Sequence, residues 1–228
     1  MSDYGKAPVS LGNFAVDDWD EYMHYLYLPV VFPFEEQPIQ AGIRLPERLE
    51  FARPFVQRAI FDFATRLGGY LGDKYVYLTT RRGWASPGNP LNRPGWHADG
   101  FGGEDINYVW ADAYPTVFAV QSFANVSADH QDSMSAFADQ IDPDKLVTYP
   151  DNEFLCIDPY VVHHVPTIPA PGGNRSFLKV SVSSDKYDLK GNSHNYLFDY
   201  DWKMYDRSEV RNDPARKNTD SSGKKMLV

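Results

Sequence analysis

Only one cysteine, Cys156, stands among the 228 residues. A lone thiol excludes an intramolecular disulfide and any multi-cysteine zinc or iron–sulfur site. Metal chemistry in this chain must therefore rest on histidine and carboxylate. Long apolar runs are also missing. No window approaches the roughly 20 apolar residues of a membrane span, and Met1-Ser2-Asp3-Tyr4 has no basic stretch leading into an apolar one, as a secretion signal would. Positive charge is in short supply: 22 Lys and Arg against 31 Asp and Glu leave a net charge of −9. That balance argues against a broad phosphate-binding surface, so nucleic acid is a disfavoured partner. These absences lead us to expect a cytoplasmic protein without membrane association, acting on a small molecule. Oligomeric state is not legible.

What is present reads as globular, with 43% hydrophobic and 15% aromatic residues. Asp17 and Asp18 precede Trp19, Tyr22, Tyr25 and Leu26, a pattern that predicts a short amphipathic helix with an acidic first turn. Leu26 to Phe32 is apolar but contains Pro29, so it suits an edge strand. A clearer helix follows Pro46, with Ala52, Val56, Ala59, Ile60, Phe63, Ala64 and Leu67 at three- and four-residue steps, a break at Pro54 and a stop at Gly68-Gly69.

Strand signals then dominate. Residues 74–82 and 176–183 alternate, 115–126 reads as a long extended run, and 154–165 is apolar and β-rich. A Gly/Pro/Asn-rich loop over 83–95 is long enough to suggest function, and a short helix is expected around Met134, Ala138 and Ile141. Aromatics at Tyr187, Tyr196, Phe198, Tyr200, Trp202 and Tyr205 should return to the domain, and the end from Lys203 is mildly basic. The expectation is one mainly β domain over 1–228, an antiparallel double-sheet jelly-roll. Its core would span about 74–184, with N-terminal helical support over 14–70 and a C-terminal aromatic and basic extension over 185–228.

Chemistry concentrates in two stretches, Gly95-Trp96-His97-Ala98-Asp99-Gly100-Phe101 and Asp158-Pro159-Tyr160-Val161-Val162-His163-His164. Residues i and i+2 of an extended segment share a side, so His97 and Asp99 can reach one metal together. A histidine from the second stretch would complete a two-His-one-carboxylate face, a set that suits Fe(II) and leaves positions open. Alternation alone leaves His163 and His164 both eligible. Arg175 opens the next strand twelve residues beyond His163.

The order H-x-D, distant H, then R, with strand-like sequence around it, resembles the Fe(II)/2-oxoglutarate-dependent dioxygenases over roughly residues 74 to 184. Thr116-Val117-Phe118-Ala119 and Arg175-Ser176-Phe177-Leu178-Lys179-Val180 resemble the matching strands of that family. The resemblance implies a double-stranded β-helix, or cupin-like jelly-roll, with supporting α-helices on one side. It implies catalytic iron ligands at His97, Asp99 and His163, and Arg175 as partner of the distal carboxylate of 2-oxoglutarate. O2 would be the further co-substrate, and hydroxylation or a related oxidation the reaction. The family often places an aspartate five residues before its distal histidine, a spacing that Asp158 and His163 meet. His164 would then stand beside the site.

Two other classes compete: a zinc hydrolase using the same ligands, and a metal-binding jelly-roll without turnover. Lys179 shares the face of Arg175 and is a minor candidate for anion binding. Tyr77 and Gln121 are minor candidates for lining the site. Trp96 and Phe101 suit packing as well as substrate contact, and Cys156 suits burial as a small apolar side chain.

Overall fold

A computed structural model of the chain describes residues 3–16, 19–37 and 42–207. Asp17, Asp18 and the basic segment beyond Arg207 lie outside the described residues. In chain order the strands are β1 (Val9–Asn13), β2 (Met23–Val31), β3 (Tyr75–Ala85), β4 (Ile106–Ala111), β5 (Val117–Ala119), β6 (Leu146–Thr148), β7 (Glu153–Ile157), β8 (His163–His164) and β9 (Gly173–Ser183). Among the described residues two α-helices accompany them, α1 (Arg53–Thr65) and α2 (His130–Gln140). One sheet has the order β1-β7-β4-β9-β3-β2 and a smaller one the order β6-β5-β8. The pairings β1–β7, β4–β7, β5–β6 and β5–β8 are antiparallel. The protein is thus mainly antiparallel β with few helices, the class its sequence implies. Among the described residues no helix is long and apolar enough to cross a membrane.

The chain divides into two compact units, Met1–His24 with Thr80–Lys179, and Tyr25–Thr79 with Val180–Val228. The first unit is a sandwich. Val109 of β4, Leu155 and Ile157 of β7 and Phe177 of β9 meet Phe118 of β5 and Val161 in one buried cluster. Period-two alternation sends the next residues of the small sheet the other way. Ala119 and Val162 therefore pack with Phe123 and with Phe137 of α2, and Tyr4, Trp96 and Phe101 close that layer. The small sheet is buried on both faces at β5 and β8, which holds the second histidine stretch between two apolar layers.

In the second unit α1 begins at a 3-10 turn, Glu47–Ala52, and has Pro54 in its first turn. There the missing N–H costs nothing, so the proline starts the helix and does not kink it. Phe55, Val56, Ala59 and Phe63 are buried, whereas Ala64 and Leu67 are exposed and Leu67 lies past the helix end. Most of the late aromatics pack: Tyr187 stacks on Tyr77 at 4.1 Å, Phe198, Tyr200 and Trp202 surround Phe32, and Tyr205 lies against Leu189, but Tyr196 is exposed, against expectation. Asn195, fully buried, ties this unit together by donating to the carbonyls of Pro29 at 2.8 Å and Arg44 at 3.0 Å.

Several elements differ from expectation. Among the described residues no helix forms around Trp19 and Tyr22. Trp19 is buried against Trp110, and the chain enters β2 at Met23. The three-residue spacing of these aromatics mimics a helix face, but only Trp19 is buried and Tyr22 is exposed. The extended run 115–126 shrinks to β5, and β1, β4 and β6 emerge where no strand is expected. β4 is buried on both sides from Asn107 to Ala111, so alternation carries no signal there.

Phe118 lies at the centre of the first unit and is fully buried. Truncation in Phe118→Ala should lower unfolding free energy by about 3–5 kcal/mol through lost burial and the cavity left behind, as read from urea denaturation midpoints.

Candidate metal centre

The two chemistry-bearing stretches meet through backbone. His97 and His163 form an antiparallel bridge, with the His97 N–H donating to the His163 carbonyl at 3.0 Å and the reverse bond at 2.8 Å. This pairing places the two rings 4.4 Å apart between centroids. Each imidazole is then oriented by its own chain. His97 Nδ1 lies 2.8 Å from the Gly95 carbonyl and His163 Nδ1 lies 3.1 Å from the Val161 carbonyl. A carbonyl can only accept, so Nδ1 must carry the proton in both rings, which leaves the Nε2 lone pairs for a metal. Gly95 presents its carbonyl from φ +98°, a backbone region that L side chains rarely adopt.

Asp99 enters from the turn that follows. Its Oδ1 is 3.8 Å from His97 Nε2 and its Oδ2 is 4.0 Å from His163 Nε2. Ligand atoms of His97, Asp99 and His163 all lie within 4.8 Å of one another. Neighbouring ligands about 2.1 Å from an octahedral metal are roughly 3 Å apart. The cluster therefore needs only a small contraction to hold one ion, and its two nitrogens and one carboxylate are the donor set that non-haem iron takes. His164 is turned elsewhere. Its Nδ1 lies 2.5 Å from the Val165 carbonyl and its ring lies against Trp96.

A residue given little weight from sequence completes the arrangement. Lys179 of β9 extends Nζ to Asp99 Oδ2 at 2.9 Å, and it is only 8% exposed. A lysine in the middle of an apolar strand, on the face shared with Arg175, is the signal that could have found it. Burial pushes the Asp99 carboxyl up, but Lys179, His163 and His97 outweigh it and hold the group well below the usual carboxylate range. Burial drives the His97 imidazole down to about 4, with His163 adding to the effect and Asp99 opposing it. His163 is lowered too, chiefly by burial, against the pull of Asp99. All three groups are thus in their metal-binding protonation states at neutral pH.

Arg175 is almost fully buried at the start of β9. Its Nε donates to the Tyr114 carbonyl at 3.0 Å, and its Nη1 donates to the Pro90 carbonyl at 3.3 Å and to Asn92 Oδ1. The guanidinium lies over the Phe177 ring. Burial lowers it to about 10, with Asp112 opposing and Arg81 adding to the shift, so it remains charged at neutral pH. Three of its five N–H groups are thus committed to the protein, which leaves Nη2 and not the whole fork for a ligand. The loop expected over 83–95 is therefore anchored, with Leu91 buried against Ala85 and Ile168.

Other candidates lie elsewhere. Gln121 bonds the Gln140 carbonyl and the Asp142 N–H, and Tyr77 belongs to the aromatic cluster of the second unit. Phe101 stacks on Tyr4, and Asp158 caps the turn at Tyr160. Cys156 is buried on β7.

No protein-family model matches this chain, and no curated protein matches it. Among solved structures, EvdO2 from Micromonospora carbonacea var. aurantiaca is similar at a TM-score of 0.39 and 15% identity, over 69% of this chain and 67% of that one. A second structure of EvdO2, complexed with 2-oxoglutarate, is similar at a TM-score of 0.36 and 14% identity over the same shares.

Removing one partner of a buried ion pair leaves the other charge uncompensated. Lys179→Met should therefore destabilise the metal-free protein by about 3 kcal/mol, seen as a lower thermal midpoint in the presence of a chelator. An unchanged midpoint would mean that water already compensates Asp99.

Proposed function

We propose that this chain is a non-haem iron oxygenase that couples oxidative decarboxylation of 2-oxoglutarate to hydroxylation, or a related oxidation, of a small-molecule substrate. The observation that carries the reading is the convergence of two Nδ1-protonated imidazoles and one carboxylate from separate stretches of chain. Bound iron and 2-oxoglutarate would supply the means of using O2 as oxidant.

The chain's own residues have definable tasks in this reaction. His97 and His163 would offer Nε2, held in one tautomer by the Gly95 and Val161 carbonyls. Asp99 would offer Oδ1 while Lys179 holds Oδ2. Arg175 would meet the distal carboxylate of 2-oxoglutarate through Nη2, its guanidinium fixed by Tyr114, Pro90 and Asn92. Phe118 and Val161 keep water from one side of His163, and Val162 and Phe137 seal the layer behind. The net charge of −9 favours a small-molecule substrate over nucleic acid.

One observation favours a second reading. The Lys179–Asp99 pair already satisfies the carboxylate without a metal, as a non-catalytic jelly-roll module would require. Zinc in place of iron, serving hydrolysis, would use the same three ligands but would give Arg175 no carboxylate to meet.

Anaerobic addition of Fe(II) followed by 2-oxoglutarate should produce a weak visible charge-transfer band in the wild type and none in Asp99→Ala. A wild type loaded with iron that shows no band would overturn the oxygenase reading. Arg175→Lys should raise the 2-oxoglutarate concentration needed for that band at least about tenfold, since lysine lacks the planar donor set, while iron content stays unchanged. Loss of iron from this variant would instead assign Arg175 to holding the loop.

A further inference from the structure

Lys179 is an odd neighbour for a cation site. It is flanked in β9 by the buried Leu178 and Val180, and its ammonium sits 2.9 Å from the oxygen of a carboxylate that a metal would also need. Two positive charges sharing one carboxylate repel strongly at low local dielectric. The charge count sharpens the point. Imidazole binds metal as a neutral ligand, so Asp99 and Lys179 together bring the metal-free cluster to zero. A divalent ion raises it to +2, a costly sum in a buried site. A dianion bound to the ion returns it to zero. Without the lysine, the metal and Asp99 alone would stand at +1, and the demand for a dianion would weaken.

We infer that Lys179 makes metal binding conditional on a dianionic chelator: it weakens capture of the bare ion and favours the ion and a dicarboxylate entering as a neutral whole. The inference rests on the metal centre proposed above and adds a selectivity role for a residue outside the three ligands. Lys179 acts here through Asp99 and through its charge, as a positioning and specificity residue.

The probe is Mn(II), titrated anaerobically at neutral pH with and without oxalate, and followed by the electron paramagnetic resonance signal of the free ion. In the wild type, oxalate should tighten Mn(II) binding at least about tenfold. Lys179→Met should bind Mn(II) alone at least about tenfold more tightly than the wild type and respond less to oxalate. Lys179→Arg, which keeps the charge, should behave as the wild type, and Lys179→Gln, which keeps polarity without charge, should behave as the methionine variant. The glutamine variant serves in its place where Lys179→Met does not fold. Neutral variants that bind Mn(II) no more tightly than the wild type, or that keep the full oxalate effect, would overturn the inference while leaving the metal centre standing. A wild type that takes up no Mn(II) with or without oxalate would overturn the metal centre itself.

Discussion

The site depends on one backbone interaction, the reciprocal pair of hydrogen bonds between His97 and His163. Neither histidine is near the other in the chain, and neither lies in a long strand. His163 belongs to a two-residue strand, and His97 meets it as an isolated bridge. So short a pairing cannot sustain itself, because its ordering entropy exceeds what two hydrogen bonds return. It persists because β5 pairs with β8 and because Phe118 and Ala119 bury its two faces in separate apolar layers. The apolar core therefore sets the geometry of the polar centre.

Charge in this centre is handled by pairing. Three titratable side chains and a lysine share a small volume with little water access, and each is fixed by a partner of suitable chemistry: imidazole N–H on carbonyl, ammonium on carboxylate. Arg175 follows the same rule at the other end of its strand face, its donors given to Tyr114, Pro90 and Asn92. Burying so many polar groups costs folding free energy unless each is satisfied. The first unit thus accommodates a polar interior in which these groups are paired.

Sequence reading succeeded where residue type carries the message. Strands β3 and β9, the edge position of β2 with its proline, and the short helix near Met134 were all legible from pattern. It failed where packing overrides pattern. Trp19 and Tyr22 have helical spacing but lie in an irregular stretch before β2, with Trp19 buried against Trp110 and Tyr22 exposed. β4 hides because both its faces are buried, and β1 and β6 are too short to show a period. The arginine was legible as a buried cation, yet the commitment of its donors to loop carbonyls was not, since main-chain partners leave no trace in residue identity.

By itself, the sequence determined the available chemistry: no multi-cysteine metal site, a histidine–carboxylate donor set, an arginine in strand context and a mainly β chain. Those follow from residue type and from periodicity, which are local properties. Tertiary structure alone decided that His164 turns to Trp96, that Lys179 reaches the Asp99 carboxylate, and that Arg175 retains only part of its fork. Each of these depends on register between strands far apart in the chain, where a shift of one residue would reverse every side chain.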